Sequence, residues 1–121
     1  MDSSPTNILK EKSYAFALRP INLYKHLSVA KKEYVLSKQL LRSGTSIGAN
    51  VAEANQAQSR PDFISKLGIA LKEAAETEYW LSLLRDSRYL TEREAESMLR
   101  DCLELIKILT AILKTSKKSR S

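Results

Sequence analysis

Residues Leu40–Ala54 read LLRSGTSIGANVAEA, and the fold turns on whether this stretch is a glycine-rich ligand loop or a thin helix. A phosphate-binding loop needs a strand before it, glycines at a tight turn, and a lysine and a hydroxyl directly after. SGTSIGAN has neither GxxxxGK[ST] nor GxGxxG spacing, and no strand pattern precedes it. Helical periodicity, by contrast, runs straight through. At 100° per residue Leu36, Leu40, Ser43, Gly44, Ile47, Gly48, Val51 and Ala54 share one face, and Lys38, Arg42, Thr45, Ala49, Glu53 and Gln56 share the other. Gly44 and Gly48 then lie one turn apart on the apolar face, where they let another backbone approach closely. Each glycine costs about 1 kcal/mol of helix propensity relative to alanine, which close packing must offset. The small-xxx-small device is best described in membrane helices, and only its geometry is borrowed here.

Working outward, the spacing predicts one domain of four helices, near residues 13–29, 33–57, 60–87 and 91–115, with disordered ends at 1–7 and 116–121. The last helix opens on a capping box, Thr91 and Glu94, followed by Ala95, Met98, Cys102, Leu105, Leu109 and Ile112 at alternating steps of three and four. The third opens on Ser59-Arg60-Pro61, with serine as N-cap and proline tolerated in the first turn. Phe63, Leu67, Ala70, Ala74, Thr77, Leu81 and Leu84 form its stripe. The short link SRYL makes these two helices an antiparallel hairpin. The first helix has Ala15, Leu18, Ile21, Tyr24 and Leu27 at helical spacing, but Pro20 sits inside it. Either this helix kinks at Pro20, or it starts near Arg19 with Pro20 in its first turn. The fold class is therefore all-α, an antiparallel up-down-up-down four-helix bundle.

Composition agrees. The 121 residues include only three glycines and three prolines, and 7% are aromatic, so the core is aliphatic and alanine-rich. A chain of this length buries only about two-thirds of its unfolded surface, so oligomerisation adds useful burial. A single cysteine excludes an internal disulfide framework and a multi-cysteine zinc site. No segment reaches the ~18 consecutive apolar residues of a membrane span, and MDSSPTNILKEKSYAF has no apolar signal core. The expected location is cytoplasmic, with no membrane partner.

Net charge is +6, with nine Lys and Arg against four Asp and Glu in residues 1–60 and eleven against ten in residues 61–121. A basic balance permits RNA or DNA contact, and the candidates are Lys31, Lys32, Lys38, Arg42 and the tail cations Lys114, Lys117, Lys118 and Arg120. The plainer alternative is a solvated basic surface and a solubilising tail. Asn50, at the edge of the apolar face, reads as a buried hydrogen-bonding anchor that fixes register. Glu53 pairs either within its helix or across a subunit boundary. Glu73, Glu76 and Glu78 read as solvated or structural, since a di-iron bundle needs Glu-x-x-His pairs and the chain has one histidine, His26. Cys102 is a small core residue without an evident base. Tyr79 and Trp80 point about 100° apart, so at least one lies at an edge. No catalytic, cofactor-binding or metal-ligating set emerges, and no small-molecule substrate is indicated. The chain reads as a non-enzyme with no cofactor.

Three blocks, SGTSIGANVAEA (43–54), FISKLGIALKEAAETEYWLSLL (63–84) and YLTEREAESMLRDCLELIKIL (89–109), resemble the 23S rRNA-intervening sequence protein family, also called four helix bundle proteins. The resemblance runs from about Ser13 to Leu113 and is most specific over 43–54. It implies an up-down-up-down bundle assembled as a ring-like homopentamer, and a bacterial source, since the family is named for genes inside insertions in bacterial 23S rRNA genes. That location assigns no activity. A related accessory factor of diversity-generating retroelements is a basic pentamer that binds nucleic acid and a reverse transcriptase. The residues matching the family motif are Ser46, Ile47, Asn50, Glu53, Glu73, Glu76 and Leu81, and structural duty is expected of them, as of Gly44 and Gly48. Pro20 departs from the family's uninterrupted first helix. The expected function is a homo-oligomeric structural or adaptor module; the alternative is a nucleic-acid-binding accessory protein acting through a basic oligomer surface.

Overall fold

The computed structural model describes residues 4–118. Four helices follow one another: α1 (Pro5–Ala30), α2 (Val35–Ala54), α3 (Arg60–Asp86) and α4 (Glu92–Lys118). Each packs on its sequence neighbour, and α4 closes back on α1, so among the described residues the helices form a square with no close backbone approach across either diagonal. The molecule is an all-α four-helix bundle. Its core is mostly leucine and alanine: Leu9, Leu27, Leu40, Ile47, Leu67, Ala70, Ala74, Leu81, Leu84, Ala95, Leu105 and Leu109 are all essentially inaccessible. Burying a leucine side chain contributes roughly 1.5–3 kcal/mol, which makes this aliphatic column the main driving force.

Helix α1 differs most from expectation. It begins at Pro5, not near residue 13, because the Asn7 N–H donates to Ser4 Oγ at 3.2 Å and Pro5 occupies the first turn. It also runs through Pro20, which excludes a start near Arg19. Proline offers no N–H to the Phe16 carbonyl, but the ring is buried against α2. Residues 5–7 and 116–118 are therefore helical and not disordered ends. Ser116 at the end of α4 is buried, and its carbonyl accepts from Arg60 Nη1 at 3.4 Å. The remaining end residues, 1–3 and 119–121, lie outside the described residues.

Helix α2 is shorter than the expected 33–57 at both ends. Glu33 is its cap and not part of its first turn. The Glu33 carboxylate accepts from the backbone N–H groups of Val35 and Leu36 at 3.0 Å and of Ser37 at 2.7 Å. At the other end Gln56 and Ala57 leave the helix in tight turns onto Glu53 and Ala54. The capping box of α4 is formed: Thr91 N–H donates to Glu94 Oε1 at 2.9 Å, and Glu94 N–H to Thr91 Oγ1 at 3.1 Å. Lys32 and Arg88 sit at φ 55° and 68°, the left-handed positions that end α1 and α3.

Candidate functional site

The stretch around Gly44 and Gly48 builds a socket for α1. A Cβ at Gly44 would stand 2.8 Å from Pro20 Cγ, and a Cβ at Gly48 would stand 3.2 Å from the Ser13 carbonyl oxygen. The two glycines thus admit one proline ring and one stretch of backbone. Beside them Ile47 is fully buried, as is Leu81 on α3. Ser46 Oγ donates to the Arg42 carbonyl at 2.6 Å and stays on its own helix.

Asn50 is half-buried and donates from Nδ2 to the Ser46 carbonyl at 2.8 Å, within α2. It is not the buried anchor between helices. That position is about two turns earlier in α2: Thr77 Oγ1 on α3 donates to Ser43 Oγ on α2 at 3.0 Å, with both residues fully buried. The two residues lie on nearly the same side of α2, but Ser43 is fully buried and meets Thr77, whereas Asn50 is half-buried and bonds within its own helix. A satisfied polar pair in a low-dielectric core fixes the register of two helices.

The acidic motif residues clamp the same pair of helices. Arg42 Nη1 lies 3.3 Å from Glu73 Oε2, and Nη2 contacts Glu76 Oε2. Glu53 pairs with Lys66 of α3 at 3.6 Å, so its partner is on a neighbouring helix of the same chain. Arg42 is consequently no free cation for a phosphate, since two carboxylates already balance it.

The other candidate cations fall into two groups. Lys31 and Lys32 occupy the α1–α2 turn, and Lys38 lies one turn into α2. Lys114, Lys117 and Lys118 lie in the last turns of α4, at the opposite end of the bundle. A 20-residue helix such as α2 is about 30 Å long, so the two groups do not form one patch. Arg120 lies outside the described residues.

The α1–α2 turn carries a signal that residue counting missed. Glu33 is the only acid between Glu11 and Glu53, and it is buried. Burial alone would raise its pKa; the bonds from Ser37, Leu36 and Val35 outweigh this and hold the carboxyl below its ordinary value. Along and beside this turn Lys31, Lys32 and Lys38 are exposed, and Tyr34 is 49% exposed. On the flank between α1 and α2 is a groove of about 530 Å³, whose walls include Tyr14, Ala17, Gly48, Ala49 and Ala52. Tyr14 on its rim is 71% exposed, and Leu18 beside it is also open to solvent.

Elsewhere the chemistry is quiet. Cys102 is buried, donates to the Ala74 carbonyl at 3.3 Å, and has its pKa pushed up to about 12, first by burial and then by Glu78. His26 is exposed. Among the described residues no three His, Cys, Asp or Glu side chains are grouped to hold a metal, and no helix is long and apolar enough to cross a membrane. Tyr79 and Trp80 meet edge to face at 5.1 Å, with Tyr79 largely exposed and Trp80 half-buried.

A solved structure from Bacteroides thetaiotaomicron, described as a protein of unknown function from the S23 ribosomal protein family, superposes on this bundle with a TM-score of 0.90. The two chains are 58% identical, over 92% of this chain and 99% of that one. No curated protein matches. The family model for the 23S rRNA-intervening sequence protein matches residues 6–111, nearly the whole of the four-helix unit, and the chain belongs to that family.

Proposed function

We propose that the protein is a non-enzymatic scaffold that works as a ring of identical copies, each seating on the α1–α2 flank of the next. The observation that carries this reading is the uncovered apolar groove beside Tyr14, Ala17, Ala49 and Ala52, on a helix pair that is otherwise cationic. The same chain carries a complement. Residues 60–104 hold ten acids against seven cations, while residues 12–52 hold seven cations against the single inward-turned Glu33. Unlike patches on one chain make a head-to-tail contact, and such contacts generate rings when the rotation closes. Charge complementarity sets the orientation, and the apolar groove supplies the burial. The experiment is sedimentation equilibrium of the protein beside Ala49→Glu, which puts a charge on the exposed groove wall. The variant is expected to lose mass while keeping its helical circular dichroism; unchanged assembly in Ala49→Glu refutes the groove as the contact.

A second reading rests on a different observation, the α1–α2 turn. There Tyr34 stands exposed near Lys31, Lys32 and Lys38 in sequence, and the Glu33 carboxylate is spent on capping. An aromatic face amid cations suits single-stranded nucleic acid, by base stacking and phosphate neutralisation. The expected result is RNA oligonucleotide binding that weakens steeply with salt, drops in Lys31→Glu/Lys32→Glu, and is unaffected by Arg42→Met. No binding at 50 mM salt removes this reading.

A further inference from the structure

Helix α3 presents a stripe to solvent that its own bundle does not use. At 100° per residue Gly68, Lys72, Ala75 and Tyr79 fall within about 60° of one another, opposite the buried Ala74, Thr77 and Leu81. All four are exposed, Tyr79 by 57%. A Cβ at Gly68 would meet nothing within 4 Å, so this glycine, unlike Gly44 and Gly48, makes no room for a neighbour in its own chain. Glycine is a poor helix former, and no packing inside the bundle offsets it here. Tyr79 is not a loose side chain, since its ring stands edge to face on Trp80 with centroids 5.1 Å apart. Away from the α1–α2 pair, the large apolar side chains exposed among the described residues are Ile69, Tyr79 and Leu103, and Tyr79 is the most exposed of them.

We infer that Tyr79 of one copy seats in the α1–α2 groove of the next, an inference that rests on the ring proposed above and names the face that enters the groove. The groove walls at Ala17, Gly48, Ala49 and Ala52 are short, and the space above them takes a large flat side chain. A tyrosine brings much contact area on few rotatable bonds, and the Trp80 contact already orders its ring, so docking costs little side-chain entropy. Gly68 and Ala75 keep the α3 surface low beside it, which lets the helix come down onto the flank. Lys72, two turns before Tyr79, brings a cation toward Glu11, the one acid lining the groove. The occupant is a second copy because one chain carries both knob and hole, with charges that match. The two faces differ, so each copy uses one of each and the contact repeats head to tail.

Cross-linking between copies supplies the test, because Cys102 has 0% exposure and stays out of surface thiol chemistry. Ala52→Cys and Ala75→Cys proteins are mixed and treated with a short thiol-specific cross-linker. Cross-linked dimers are expected in the mixture and in neither protein alone. Tyr79→Ser is expected to weaken association about tenfold or more, as truncation of an aromatic anchor does. Gly68→Leu is expected to lower the assembled mass while circular dichroism stays native, since the added side chain has free space in its own chain. Lys72→Glu is expected to weaken assembly, and Glu11→Lys in the same chain to restore it. Cross-linking of Ala52→Cys to itself overturns the docking, because groove then meets groove. Full mass in both Tyr79→Ser and Gly68→Leu overturns α3 as the docking face and leaves the ring standing. Unchanged mass in Ala49→Glu removes the groove contact itself, and this inference with it.

Discussion

Helix α1 is held on its two sides by different physics. Toward α2 it is held by shape: Pro20 fills the notch at Gly44, and the Ser13 carbonyl lies over Gly48. Toward α4 the shared apolar core is edged by ion pairs, Arg19 to Asp101 at 2.7 Å and Lys12 to Glu104 at 3.0 Å. The first contact tolerates no added atom, because close-packed backbone has nowhere to go. The second tolerates side-chain change, because exposed ion pairs contribute only about 0–1 kcal/mol each. One helix is thus fitted by shape along one edge and bridged by side-chain ion pairs along the other.

Gly48→Leu attacks the rigid edge hardest. The added side chain meets backbone, and a loss of about 3 kcal/mol or more is expected, read as a lower midpoint in urea. If that variant melts like the wild type, the shape account of α1–α2 fails. Gly44→Ala is the finer probe. Helix propensity alone favours alanine by about 1 kcal/mol, yet the Pro20 contact is expected to make the variant less stable by roughly 1–3 kcal/mol. Pro20→Ala in the same chain is expected to restore it, and a double-mutant cycle with no coupling breaks the pairing of these two residues.

The Glu33 cap sharpens the comparison, since it anchors the turn from which α1 hangs. Glu33→Ala is expected to cost about 1–2 kcal/mol, measured by chemical denaturation. Because the folded-state pKa lies below the ordinary 4.5, the carboxylate's contribution is complete above that value and is lost as pH falls through the lower folded value. The stability gap between wild type and Glu33→Gln is therefore expected to narrow on acidification; a constant gap contradicts the cap. The smallest effect is expected at Lys32. Glycine accepts its φ of 55° without strain, so Lys32→Gly is expected to stabilise by about 0.5–1 kcal/mol.

What was legible in the sequence was whatever depends on near neighbours. The Thr91–Glu94 box and the Ser59-Arg60-Pro61 start are local devices, and both are formed. The four helices and the helical course of Leu40–Ala54 follow from periodicity. What was not legible depends on distant partners. Pro20 looked like a break because its accommodation lies in Gly44 on another helix. Arg42 looked like a phosphate cation because Glu73 and Glu76 lie 31 and 34 residues away. Ser43 reads in the sequence only as a small residue on the apolar face, because its partner Thr77 lies on another helix. Glu33 precedes α2, whose N-cap position is Tyr34, and caps the helix through its side chain. Its inward turn is set by its own N–H bonding back to the Leu27 carbonyl.

The central functional claim is self-assembly through unlike faces of one chain, and solution mass tests it most directly. Multi-angle light scattering across micromolar concentrations at low salt is expected to give about five times the 13.7 kDa chain mass, the ring of five that the family resemblance implies. A single species at 13.7 kDa over that whole range contradicts the claim.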